Sequence, residues 1–157
     1  MSAELLKLAA RIDLLAVPYK GAGPAFIDLM AGQVQMMVAT MSLALPHVKA
    51  GRVRALAVTS PQRHPVVPDL PTVAETVPGY EATIWLGVMS HKGTPKDVVD
   101  YLNKHINTVI NNPEVKEAWL KQGAVPMVKS PAEFDAFLHK DIEKWANVVK
   151  TANIKVQ

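Results

Sequence analysis

Two bare corners are where this sequence could concentrate main-chain chemistry. The first is Tyr19-Lys20-Gly21-Ala22-Gly23, which follows the apolar run "DLLAVPY" and leads into a stretch opened by Pro24. The second is Thr40-Met41-Ser42, at the end of "VQMMVAT". In an open α/β sheet, strand tips meet helix N-termini, whose unpaired N–H groups and positive dipole attract negative charge. Glycine lets a ligand come close to the backbone. Such corners suit an anion, most simply a carboxylate, and they share one crevice if the two strands are neighbours. Plainer roles stay open: a tight strand–helix turn that needs glycine for its dihedral angles alone, and Ser42 as a helix N-cap. The glycines match no phosphate-binding fingerprint.

Other chemistry is sparse. His47, His64, His91, His105 and His139 do not pair at metal-ligand spacing. His105 and His139 fall on mostly polar helix positions and are expected to be solvated. With no cysteine there is neither a thiolate ligand nor a disulfide. No serine stands in a G-x-S-x-G elbow, and no two carboxylates stand out as an acid–base pair. The expectation is a protein that is not an enzyme and uses no cofactor. Trp85 could line a ligand cleft, with a core role as the default. The net charge of +3 is small and its lysines and arginines are scattered, which argues against a nucleic-acid partner.

The elements that would position these corners follow from periodicity and punctuation. In 157 residues, 49% of them hydrophobic, there is enough apolar surface for one globular domain with a core. A helix is expected over 3–10, strands over 13–19, 34–40 and 53–59, and helices from Pro24 to Gly32 and over 42–51. Phe26, Ile27 and Met30 are expected on one face of the first of those two. This alternation points to parallel βαβ units. Five prolines in 60–80 break the rhythm, leaving "TVAE" as one turn with Thr72 and Glu75 in capping-box spacing. A strand is expected over 82–89, then helices from Pro95, Pro113 and Pro131, with a short strand at 124–128. Val98, Leu102, Ile106 and Val109 would form one stripe. The last helix is expected to open on a Ser130–Glu133 capping box and to bury Phe134, Phe137, Leu138, Ile142, Trp145 and Val149.

The runs "VPYKGAGPA-x3-LMAGQVQMM", "ALPHVKAGRVRALAVTS", "R-x4-PDLPTVAE-x2-PGYE", "W-x-G" and "GTP", in this order over residues 3–157, resemble the Bug/TctC family. These are the substrate-binding proteins of tripartite tricarboxylate transporters. The resemblance implies an α/β fold of the periplasmic-binding-protein type II kind, truncated to the C-terminal half. Residues 1–60 would be part of lobe two (βαβ units), 61–81 a proline-rich interlobe passage, and 82–157 the C-terminal part of lobe one. It also implies capture of a small organic acid, a di- or tricarboxylate or an acidic amino acid, for membrane permease subunits. The ligand residues it carries over are Tyr19, Gly21, Ala22, Gly23, Thr40 and Ser42. "ATMS" departs from the acidic or amide residues usual after the second strand, so the substrate does not carry over.

Family members are periplasmic. This chain opens on "MSAELLKLAARIDLLAV", which lacks the features of a secretory signal, so as written it is expected to stay in the cytoplasm. The alternative reading is a cytosolic small-molecule sensor or interaction domain of the same fold. A half-length clamp is also expected to expose strand edges and apolar faces and so to self-associate.

Overall fold

The computed structural model describes residues 1–154; the last three residues of the expected 82–157 segment lie outside them. The chain divides into two compact units. One comprises Met1–Ile84 together with the described residues from Val148 onward, and the other Trp85–Asn147.

The first unit carries three short helices: α1 (Ser2–Ala10), α2 (Ala22–Met30) and α3 (Met41–Lys49), each nine residues long. Alanine and leucine favour α1, a Glu4–Lys7 ion pair at 3.3 Å supports it, and Arg11 in the left-handed region stops it. α2 begins at Ala22, two residues before the expected Pro24, which is tolerated within the first turn where N–H groups have no helical partner. Its buried residues are Ala25 and Phe26, whereas Ile27 is 62% exposed, so the expected apolar face is narrower than its sequence.

The proline-rich passage packs inside this unit. Thr72 caps a 3-10 turn over Val73–Glu75: its hydroxyl accepts from the Glu75 N–H while Glu75 accepts from the Thr72 N–H. The capping box expected at these residues is therefore present. Val58 donates to the Pro71 carbonyl and accepts from the Val73 N–H, both at 2.9 Å, forming a single parallel bridge to Thr72. Ala82 donates to the Thr59 carbonyl at 3.0 Å. Val58, Thr72, Tyr80 and Ala82 are all buried, and the Tyr80 hydroxyl reaches the Ser2 carbonyl at 3.1 Å. Tyr80 of the passage thus joins Phe26, Leu45, Val58, Ala82 and Val148 among the buried apolar side chains of this unit, burial worth roughly 25 cal/mol per Å² removed from water.

The second unit holds α4 (Lys96–Asn111), α5 (Pro113–Lys121) and most of α6 (Pro131–Thr151). Asn112 caps α5 through its side-chain oxygen, which accepts from the Glu114 N–H at 2.8 Å. Ser130 and Glu133 cap α6 reciprocally, as expected. Asn103 and Asn107 of α4 both donate to the Lys129 carbonyl, at 2.9 and 3.0 Å, fixing the chain just before α6. The indole of Trp85 lies edge-on to Phe134 and Phe137, with centroids 5.6 Å away in each case, and donates to Asp141 at 2.8 Å. That supports a packing role for Trp85.

Two expectations are corrected. The strands expected at 13–19, 34–40, 53–59, 82–89 and 124–128 form no ladder; among the described residues the Val58–Thr72 bridge is the sole β pairing. Strand-forming composition makes a segment ready to pair, but the ladder itself needs a neighbour at about 4.8 Å. Alternation does survive in part: Thr83 and Trp85 are half-buried while Ile84 and Leu86 are exposed. In α6 the expected buried face is only partly covered. Ile142 is exposed, Phe134, Phe137, Leu138, Trp145 and Val149 are half-buried, and the fully buried residue is Val148.

Candidate functional site

Every residue expected to bind ligand lies in the first unit, at the N-termini of α2 and α3. Gly21 is the N-cap of α2 with φ 116° and ψ 170°, a region open almost only to glycine. Ala22 and Gly23 are its first helical residues, and Pro24 removes one donor. Thr40 is the N-cap of α3 in an extended conformation, and Ser42 is the second helical residue. Gly21, Ala22, Gly23, Thr40 and Ser42 are all exposed, and Tyr19 is half-buried.

Neither helix N-terminus is capped by a side chain. The Ser42 hydroxyl turns instead to the Thr40 hydroxyl, at 3.3 Å, so Ser42 does not act as an N-cap. Pro46, inside α3, leaves the Ser42 carbonyl without its usual helical donor. The first turns of α1, α4, α5 and α6 each contain an acidic residue: Glu4, Asp97, Glu114 and Glu133. The first turns of α2 and α3 contain none. A carboxylate there would neutralise the positive end of the helix dipole, worth roughly 0.3–1 kcal/mol at an exposed site. These two ends therefore keep both their orphan N–H groups and their field.

α2 and α3 touch through Phe26 and His47, whose ring centroids are 4.9 Å apart. No hydrogen bond joins the two corners among the described residues. An open hollow of about 620 Å³ in the same unit is lined by Val48, Arg52, Arg54, Val67, Asp69 and neighbours, and none of the six expected ligand residues borders it.

One residue at the first corner has no counterpart in the sequence reading. The Tyr19 hydroxyl donates to Asp28 Oδ2 at 2.7 Å, which places a carboxylate of α2 against the side chain expected to meet ligand. The hydrogen bond to Asp28, partial loss of water and the Asp28 charge together raise the Tyr19 pKa above its ordinary value. The available signal was an isolated aspartate within the otherwise apolar "AFIDLM". No group of three or more His, Asp or Glu side chains able to hold a metal occurs among the described residues. His105 is exposed and lies against Tyr101, and His139 is exposed with Asp135 3.6 Å away.

The fold is that of part of a periplasmic binding protein. A model of the tripartite tricarboxylate transporter receptor family, TctC, matches residues 1–154, and the chain belongs to that family. A "UPF0065 protein in tcbD-tcbE intergenic region" of Pseudomonas sp. strain P51 is 43% identical over 152 residues, which cover 95% of this chain and 45% of that protein. The solved structure of R. palustris Rpa4515 with adipate is similar at 36% identity and a TM-score of 0.87, covering 98% of this chain and 52% of that one. The structure of the periplasmic binding protein BugD is similar at 35% identity and a TM-score of 0.82, covering 99% and 53%. The chain thus spans about half the length of these relatives, as expected for half of a type II periplasmic-binding-protein fold. Members of the family are periplasmic solute-binding proteins rather than enzymes.

Proposed function

We propose that this chain contributes one part of a binding site for a small organic carboxylate, in the service of a tripartite tricarboxylate transporter. Tyr19, Gly21, Ala22, Gly23, Thr40 and Ser42 supply the contacts: main-chain N–H groups from the first corner, hydroxyls and N–H groups from the second. The observation that carries this reading is the shared character of α2 and α3, the two described helices with neither a side-chain cap nor an acidic first turn. The adipate in the similar Rpa4515 structure supports the ligand class. The work is capture and hand-over to membrane permease subunits, with no covalent step and no cofactor.

Each main-chain hydrogen bond to a carboxylate adds roughly 1.5–3 kcal/mol, so two or three give at most weak binding once ordering costs are subtracted. Titration calorimetry with adipate, succinate and citrate tests this. Binding with a dissociation constant in the millimolar range, abolished by high salt, is expected; no heat from any of them would reject it. Exposed apolar side chains such as Leu15 and Leu86 also support self-association of the isolated chain.

A further inference from the structure

We infer that Asp28 is a positioning residue of this site: by accepting the Tyr19 hydroxyl it ties the two sides of the glycine corner together and fixes the directions of the Ala22 and Gly23 N–H groups. This rests on the carboxylate-binding reading above.

The bond spans nine residues and brackets the corner, with Tyr19 just before the glycines and Asp28 two turns into α2. Gly21 and Gly23 have the widest backbone freedom of any residue type, and no side chain caps the helix they open. A free corner of this composition would sample many directions. A hydroxyl–carboxylate bond of 2.7 Å between half-buried partners is short and charge-assisted, which suits it to hold such a loop. Asp28 also carries a negative charge on the helix whose N-terminus would attract the ligand. Its presence opposes anion binding by Coulomb repulsion and favours it by ordering the donors. The two effects separate by substitution. Asp28→Asn keeps an oxygen that accepts from the phenol and removes the charge, whereas Asp28→Ala removes both.

The test has an arm that needs no ligand. In the free protein, ¹⁵N relaxation of the Gly21, Ala22 and Gly23 amides should fall from the rigid range, order parameters of about 0.85, toward about 0.6 in Tyr19→Phe and Asp28→Ala, but not in Asp28→Asn. In the second arm, adipate titrated into the same four proteins should bind roughly fivefold more weakly to Tyr19→Phe and Asp28→Ala, and as tightly or tighter to Asp28→Asn. Unchanged amide order in both Tyr19→Phe and Asp28→Ala overturns the inference. So does loosening without any change in affinity. If the amides loosen as expected but the wild-type protein binds no dicarboxylate, the carboxylate reading itself falls, and with it the role of Asp28 in binding.

Discussion

The Tyr80 hydroxyl donates to the Ser2 carbonyl at 3.1 Å, joining the end of the proline-rich passage to the start of α1 across 78 residues of sequence. Tyr80 is also the most deeply buried large side chain described, at 2% exposure. Removing the hydroxyl and removing the ring therefore test different things. Tyr80→Phe should cost about 1 kcal/mol, and Tyr80→Ala about 3–5 kcal/mol, enough to unfold a marginal domain. Urea denaturation followed by tryptophan fluorescence and far-ultraviolet dichroism gives both values. Equal losses for the two would mean that the ring contributes nothing by packing.

Gly87 is tight for a different reason. A Cβ added there would lie 2.5 Å from Phe134 Cζ, and the two neighbouring ring carbons would be 3.2 and 3.3 Å away. Gly87→Ala should cost about 1–3 kcal/mol through displacement of a ring that also meets Trp85. Pairing it with Phe134→Leu should recover part of that loss in a double-mutant cycle. Additive losses would show that the two residues do not press on each other.

Gly21 supports a prediction about binding rather than packing. Nothing lies within 4 Å of the position its Cβ would occupy, so Gly21→Ala meets only backbone strain at φ 116°. The strain, of order 1–3 kcal/mol, should be relieved by moving the corner. Adipate affinity is expected to fall roughly tenfold while the melting temperature drops by only a few degrees. A large loss of stability with unchanged affinity would place the importance of Gly21 in folding.

Arg63 grips Glu75 with two nitrogens, Nε to Oε1 at 2.9 Å and Nη2 to Oε2 at 2.7 Å, while the Thr72 N–H adds a third bond. Chiefly the Arg63 hydrogen bonds, and then the Thr72 N–H, lower the Glu75 pKa from 4.5 to about 2. A carboxyl depressed by folding stabilises fully above its unfolded value, and that contribution is lost as pH falls toward its folded one. The stability gap between wild type and Glu75→Gln should therefore be constant above about pH 5 and narrow steadily down to about pH 2. Urea midpoints across that range report it, and a gap that widens on acidification would contradict the pairing. Because the pair is exposed, salt should shrink the gap as well.

Association is the remaining expectation. Leu15 is 92% exposed and Leu86 98% exposed, each in an apolar segment without a ladder partner. Light scattering of the isolated chain should show mass rising with concentration, and Leu15→Glu with Leu86→Glu should reduce it by adding charge to those segments. A concentration-independent monomer would remove the proposal.

The helices were legible because their ends are written locally. Thr72 with Glu75, Ser130 with Glu133, Asn112 before Pro113 and Gly32 after Met30 each specify a start or stop within a few residues. Strands 13–19 and 82–89 were legible only as composition. Whether they pair depends on distant partners, and the backbone path matches Rpa4515 at a TM-score of 0.87 without the ladders. At the site, the glycines and hydroxyls were visible as residue types. Asp28 was not, because its link to Tyr19 follows no helical or strand period. The packing of the proline-rich passage within the first unit was also hidden, since proline punctuation signals irregularity and says nothing of burial.

Four of the six α-helices among the described residues, α1, α2, α3 and α5, are nine residues long. Peptides shorter than about 12–15 residues barely hold a helix in water, so these four borrow their winding from the contacts around them. Their ellipticity should vanish in the same step as tertiary order, leaving the 16-residue α4 and the 21-residue α6 as the stretches long enough to keep residual helical signal in the unfolded ensemble. Spectroscopy of this protein would then report two populations of helix, one owned by the fold and one by its own sequence.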